Sequence, residues 1–474
     1  MQKLFYKNLF WLILTNLIIK PVSIFLIDAQ VQNKVGSNQY GLYFSLLSIS
    51  YVFSVFLDFG LSNYSVKKIT KNTSSLSFYL GSSILFRLFL LIVCAIVLGF
   101  LSFVLSYPNE YKLLLFWIFF NQFLISTIAF LRSFYTGLLW FKMEIILSVL
   151  DKIFWIIILG YWIYFLPKKE LSIHGFVAVQ TVSYFIVFFI AFIVLIKKIG
   201  LPKLKWNWKW SFQILKKSYP YALLVFLMMI YNRIDGVLLE RISGSNEAGI
   251  YAQSFRLLDA CFMFAGLFSS LLFPLFSKMI HLKENILPLL QSSQFVLFSF
   301  SVLIANICFF YDTEIIEVLY VHDKISSIKV LSILMLGLIP ISFTLIQGTL
   351  LTASSHLKFL NTMSFFGIII NLGLNFFLIK KYGAYGAAFS ALITQSVLAF
   401  LQIIKVQRCF LNKKYFQNYL QYFFILFFSF VLFYLLDLFL NPVLGVLVSS
   451  ILYLFLLFYI KKKELIFIIN QFVR

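Results

Sequence analysis

Uninterrupted apolar runs of roughly 20 residues recur along this 474-residue chain, separated by short polar breaks. The stretch LFLLIVCAIVLGFLSFVL (88–105), for example, carries no charge. In hydrocarbon only helices and closed barrels satisfy all of their backbone hydrogen-bonding groups. Barrel strands would alternate over roughly 10 residues and keep polar side chains toward the lumen. The runs here are continuous, so they predict membrane helices. Composition agrees. Charged residues make up 12% of the chain, against about 25% in a soluble domain, and the mean hydropathy is +0.95. A chain this apolar has too little polar surface to face water on all sides.

Fourteen spans are predicted, roughly 9–27, 40–58, 78–105, 113–135, 145–166, 173–196, 218–240, 250–277, 286–310, 329–353, 359–379, 383–404, 419–440 and 443–460. Pro442 stands where a helix begins without losing a needed donor. Lys3 and Lys7 precede the first run and no small-residue cleavage site follows it, so it is expected to be retained as a membrane helix. The formal net charge is +22. The basic residues are scattered over short loops and form no domain, which argues against nucleic-acid binding. Placing both termini in the cytoplasm makes Lys and Arg outnumber those of the opposite loops about three to one, as the positive-inside rule requires. The longest basic loop, KKIGLPKLKWNWKWSFQILKK (197–217), interleaves Trp and Lys and suits a linker lying at the headgroup surface.

A faint internal repeat runs through the spans. Gly41-Leu42-Tyr43 recurs 208 positions later as Gly249-Ile250-Tyr251, and Gly175 recurs as Gly383 at the same offset. A duplicated six-helix unit follows, both copies in the same orientation. The expected architecture is all-α and polytopic: a first six-helix lobe (1–198), a basic cytoplasmic linker (199–216), a second lobe (217–410), then two further helices and a basic tail (411–474).

Ionisable groups inside a span are costly and mark function by default. Lys20 lies deep in the first span before Pro21, which removes a helical hydrogen bond. It either faces a water-filled cavity or is neutralised by packing or paired locally. Arg256 and Asp259, three apart, share a helix face and form either a self-contained pair or a cavity arginine held by its carboxylate. In the seventh span Asn232 and Asp235 share a face, while Arg233 points elsewhere. Asp235 is expected as a structural bridge to the eighth span, and a cavity role is open for Arg233. Asp151 and Lys152 could join a polar network, although neighbours on a helix do not face each other. Asp58 is expected as a cap or an interfacial group, and Arg87 to snorkel to the surface.

Cys94, Cys261, Cys308 and Cys409 sit in or beside apolar runs and are expected as small core hydrophobes, without disulfides or zinc. His174, His281, His322 and His356 show no metal-ligand spacing. No catalytic constellation, nucleotide-binding motif or cofactor site is visible, and no loop is large enough to house one. Transport is therefore expected rather than enzymatic chemistry.

Four segments together resemble the Wzx-like polysaccharide flippases (O-antigen and teichoic acid exporters) of the MOP superfamily. They are QYGLYFSLLSISYVFSVFLDFGLSNYSVKK (39–68), RIDGVLLERISGSNEAGIYAQSFRLLDACFMF (233–264), LFPLFSKM (272–279) and HLKFLNTMSFFGIIINLGLNFFLIKKYGAYGAAFSALIT (356–394). The resemblance implies two six-helix lobes around a cavity lined by the first, second, seventh and eighth helices, in a bacterial inner membrane. It implies a polyprenyl-diphosphate-linked oligosaccharide as substrate, flipped from the cytoplasmic to the periplasmic or outer leaflet by alternating access for O-antigen, capsule or exopolysaccharide synthesis. A glycan polymerase and glycosyltransferases are then candidate partners alongside the lipid bilayer. Lys20 and Arg256 match cavity cations of the lipid II branch, with Arg233 a further candidate, and Asp235, Asp259, Asn232, Asp151 and Lys152 would support them. Lys20 in place of that branch's arginine favours the O-antigen or capsule side. The rivals are a cation-coupled drug or metabolite antiporter of the same superfamily, using Asp151, Asp235 and Asp259, and a membrane glycan polymerase or ligase.

Overall fold

A computed structural model describes residues 14–460 apart from 17, 63–64, 67–68, 70–75, 139, 167–169, 207 and 411–415. Lys3, Lys7 and the basic tail from Lys461 onward lie outside the described residues.

The protein is all-helical, a polytopic membrane fold. Among the described residues, ten helices are long and apolar enough to cross a membrane. Two are double-length: Leu14–Asp58, bent at Gly36 (φ 81°), and Leu357–Phe410, bent at Gly383 (φ 55°). Those dihedrals belong to glycine because a β-carbon clashes there. Counting each arm separately, and adding helix Ser245–His281 and the broken segment from Phe141 to Phe165, brings the membrane-length segments to the predicted fourteen. The broken segment consists of Phe141–Leu147, Leu150–Gly160 and a π-helical turn Tyr161–Phe165. The tenth span is likewise two pieces, Lys324–Leu336 and Leu338–Ala353, meeting at Gly337. Pro442 is the first residue of its helix.

By its contacts the chain divides into two compact units, Met1–Gly249 and Ile250–Arg474. This division differs from the repeat because helix Trp208–Ser243 packs on Leu14–Asp58 in the first unit. Phe56 and Phe226 meet with ring centroids 4.7 Å apart, and Gly236 lies against Phe44 and Ser48. The glycines that the repeat aligns also touch within this unit. A β-carbon on Gly41 would stand 1.8 Å from the Ser245 carbonyl oxygen and 2.4 Å from the Gly249 nitrogen. Gln32 Nε2 donates to the Gly249 carbonyl at 2.9 Å beside that contact.

Helix Leu76–Val104 shows how each rod divides its surface. Leu80, Phe86 and Leu98 are buried in protein, whereas Ile92, Ile96 and Phe103 are exposed on the side left for acyl chains. The first unit's core is built from Phe130, Leu131, Phe134, Tyr135, Val187 and Leu195. In the second unit the last two helices, Phe416–Phe439 and Pro442–Ile460, close around Leu287–Phe310 through Phe298, Tyr422, Phe433 and Tyr453. Tyr453 donates to the Ser299 carbonyl at 3.0 Å.

The linker is pinned rather than loose. Lys203 N donates to the Ser77 carbonyl at 3.0 Å, Ser82 Oγ to the Lys205 carbonyl at 2.8 Å, and Trp206 packs edge-on to Phe89. Gly81 makes this possible, since a β-carbon there would lie 2.2 Å from the Lys203 oxygen. Leu201 and Leu204 stay exposed, as an interfacial segment requires.

Candidate functional site

Pro21 has no amide hydrogen and cannot continue the hydrogen-bond ladder. The helix answers with a π-helical stretch at Ser23–Asp28, and Ser23 Oγ donates to the Lys20 carbonyl at 2.7 Å. Local widening of this kind recurs at functional sites. Lys20, half-buried, therefore sits at the edge of an irregular turn inside a membrane helix. Tyr40 reaches back across the Gly36 bend and donates to Asp28 Oδ2 at 2.6 Å, which fixes the angle between the two arms.

The element facing Lys20 is broken as well. Phe141–Leu147 stops at Ser148, and Leu150–Gly160 restarts after Val149. Ser148 donates to the Ile145 carbonyl at 2.7 Å and accepts from Asn16 Nδ2 at 2.9 Å, which ties the break to the first helix. Four charged groups are close enough to act on Lys20: Arg132, Asp151, Lys152 and Glu144. Arg132 forms an ion pair with Glu144. Lys152 lies 3.6 Å from Asp151, so the expectation that these neighbours would not face each other is corrected. They stand in the first turn of the restarted helix, where Lys152 folds over the Trp155 ring at 4.4 Å and approaches the Tyr184 ring at 5.7 Å. Three cations thus share the site with two carboxylates. Both carboxylates have other cations at hand, and among the described residues none comes within ion-pair reach of Lys20. The site therefore carries one more cation than carboxylate.

Tyrosines extend the site. Tyr43, Tyr51 and Tyr184 lie near Lys152, and Tyr43 OH pairs with Gln180, whose Nε2 donates at 3.0 Å. Arg233 stacks its guanidinium on Tyr51, 4.7 Å from the ring centroid. The first unit therefore brings Lys20, Asp151 and Lys152 together, with Arg233 joined through Tyr51. Asn232 turns to its own helix and donates to the Met228 carbonyl at 2.9 Å, while Asp235 is buried. Arg256 and Asp259 belong to the second unit, 3.6 Å apart and both largely buried.

Sequence reasoning missed Arg132 and Glu144. Arg132 was visible as a charge within a span; Glu144 stood just outside one. Arg87 corrects a second expectation. It does not snorkel: it is buried to 1% exposure, bonded to Asp58 Oδ1 at 2.8 Å and Ser126 Oγ at 2.6 Å, and lies over the Phe130 ring. Asp58 also accepts from the Ser62 hydroxyl at 2.6 Å and so caps the turn after its helix. A further polar group closes one end of this unit. Tyr107 donates to Glu240 Oε2 at 3.3 Å, and its ring lies under the Arg241 guanidinium, 3.6 Å from the ring centroid. Burial raises the Tyr107 hydroxyl above its ordinary pKa, and it remains a neutral donor.

An all-helical bundle with ionisable clusters held inside membrane-length helices is the architecture of a membrane transporter. The comparisons agree. The family described as "Polysaccharide biosynthesis protein" matches residues 5–280, and the chain belongs to that family. Two relatives are uncharacterized membrane proteins of Methanocaldococcus jannaschii. MJ1068 is 23% identical over 86% of each chain. MJ1375 is 29% identical over 40% of this chain, and the match spans only 45% of that protein's length. Among solved structures, the inward closed conformation of the lipid II flippase MurJ covers 98% of this chain and 99% of its own, with 17% identity and a TM-score of 0.70. An inward-facing multidrug resistance MATE transporter of the MOP superfamily covers 81% of this chain and 94% of its own, with 12% identity and a TM-score of 0.63. At these identities the likeness establishes the fold, that of the MOP flippases and transporters.

Proposed function

We propose that this protein flips a polyprenyl-diphosphate-linked oligosaccharide from the cytoplasmic to the outer leaflet for surface polysaccharide synthesis, exposing its cations alternately to the two membrane faces. The observation that carries the proposal is the excess positive charge at Lys20, set among Arg132, Lys152 and two matched carboxylates. The lipid tail of such a substrate can remain in the bilayer. The diphosphate cannot cross hydrocarbon without compensation. Against one phosphate charge at about 4 Å, a fixed cation contributes about 4 kcal/mol at the effective dielectric of a protein site and about 1 kcal/mol in water. Charge-assisted bonds to phosphate oxygens add direction. Lys20 is the first contact in this reading, Arg233 is joined to its cluster through Tyr51, and Arg256, held by Asp259, is a further candidate cation. Asn232, Asp235, Asp151 and Lys152 complete the polar setting. An inside-negative membrane favours outward movement of the anion by about 2.3 kcal/mol per charge per 100 mV.

The rival antiporter needs carboxylates free to exchange a cation. Asp151 and Asp259 each lie 3.6 Å from a basic side chain, which supports the flippase reading. The test is complementation of a deletion strain, scored as surface glycan and as the leaflet in which lipid-linked glycan accumulates. Lys20→Arg is expected to restore export, whereas Lys20→Gln inserts normally but leaves the glycan on the cytoplasmic side. Equal export by both variants would remove charge at Lys20 from the mechanism. Arg256→Ala is expected to abolish export at normal protein levels, and normal surface glycan in that variant would count against its cavity role.

A further inference from the structure

Cys409 departs from the expectation that every cysteine is a core hydrophobe. Cys94 and Cys308 are buried and Cys261 is partly so, but Cys409 is exposed at the end of helix Leu357–Phe410. Its Sγ lies 3.7 Å from His356 Nε2, and His356 Nδ1 lies 2.9 Å from Ser354 Oγ. Ser354 spends its single hydroxyl hydrogen on the Leu350 carbonyl, at 2.9 Å. With the hydroxyl hydrogen placed there, the Ser354 oxygen accepts from Nδ1–H and Nε2 presents a lone pair to the thiol, the arrangement in which the imidazole can act as a base. Phe410 packs edge-on against the imidazole, with centroids 6.2 Å apart, and holds the ring in place. A nucleophile, a base within reach and a third group that orients the base is the recurring pattern of an activated side chain. The surroundings are basic: Arg408 and Lys358 are exposed beside the pair, and Lys405 lies on the Phe359 ring. Reactive cysteines occupy electropositive, accessible settings of this sort.

We propose that Cys409 is a nucleophilic thiol, activated by His356, that exchanges with low-molecular-weight anionic disulfides. His356 Nε2 takes the thiol proton, and the Cys409 sulfur attacks one sulfur of the small disulfide. That S–S bond breaks, a Cys409 mixed disulfide forms, and the departing thiolate takes up a proton. Two electrons pass from Cys409 to the small disulfide, and no other oxidant is needed. Ser354 is a positioning residue that sets the imidazole tautomer. None of these groups belongs to the cation cluster proposed for transport, so the two readings stand or fall separately.

The test uses the full-length protein in detergent, with 5,5′-dithiobis(2-nitrobenzoate) as the anionic disulfide and cystamine as a cationic one. Intact mass is expected to show one fast adduct, lost in Cys409→Ser. An ordinary exposed thiol is only about 3% ionised at neutral pH, so activation is capped at roughly 30-fold. His356→Gln and Ser354→Ala are accordingly expected to slow the reaction about tenfold and about threefold. At about pH 10, where exposed thiols ionise unaided, the variants should converge with the parent. Each rate is divided by that of free cysteine with the same probe, because the two leaving thiols differ in acidity; this enhancement should be larger for the anionic probe at low salt and equal for the two near 1 M salt, where the Debye length is about 3 Å. A Cys409 rate no faster than free cysteine, no loss in His356→Gln, a difference that persists at high pH, or a larger enhancement with cystamine than with the anionic probe would each overturn the proposal.

Discussion

In Met1–Gly249 the bundle interior carries two charged clusters beside buried amides such as Gln32, Asn121 and Gln180: Lys20, Arg132, Glu144, Asp151 and Lys152 in one, and Arg87 with Asp58 in the other. In Ile250–Arg474 the buried polar side chains include Asn306, Gln347, Asn371, Asn375, Thr394 and Gln402, amides and a hydroxyl, and the unit also holds the Arg256–Asp259 pair. The two chemistries differ in what they risk. A neutral amide inside a bundle forfeits little if its partner is lost, because other acceptors lie close in a helix-rich interior. An ion pair is tolerated only while both charges are present. Charge held at that risk in the first unit is where function is to be sought, whereas amides and hydroxyls join helices at low cost.

The largest test of this contrast is Arg87. Replacing it with Met leaves Asp58 facing the protein interior without its cation. Breaking a buried pair costs about 3–5 kcal/mol; Asp58 keeps 29% of its side chain exposed and its bond to Ser62, so the lower end, about 3 kcal/mol, is expected. Denaturant unfolding in micelles measures it. The double variant Arg87→Met/Asp58→Asn should return to within about 1 kcal/mol of the parent, since a neutral pair carries no stranded charge. If the double variant is as unstable as the single one, Arg87 matters for packing and the electrostatic account of this unit is wrong.

The span pattern was legible because hydrocarbon imposes length and apolarity, and both can be read along a line. The side of a helix is harder to read. Arg87 lies at a depth from which an arginine could reach water, but it sits on a face covered by helix Asn109–Gly137, where Ser126 and Phe130 meet it. Depth alone suggested snorkelling. Lys20 stood out because a proline follows it, and Arg256 with Asp259 because a three-residue spacing is local. Arg132 and Glu144 pair across the turn between two spans, and His356 meets Cys409 from 53 residues away. Interactions closed within one helical turn were readable; those closed by packing were not.

Asn306 supplies the smallest effect and the sharpest contrast. Its Nδ2 donates to Ser429 Oγ at 3.0 Å, which joins Leu287–Phe310 to Phe416–Phe439. Ser429 keeps its own donor on the Leu426 carbonyl at 2.9 Å, so removing Asn306 strands no hydrogen. Interhelical bonds in membranes contribute about 0.6 kcal/mol on average. Leucine is bulkier than asparagine, so the bond is read as a coupling: in a double-mutant cycle of Asn306→Leu with Ser429→Ala it is expected to contribute about that amount, a fifth of the Arg87→Met effect under the same conditions. A coupling comparable to the Arg87→Met loss would mean that neutral polar groups in the second unit are as interdependent as charges in the first. The difference between the units would then lie in composition and not in energetics.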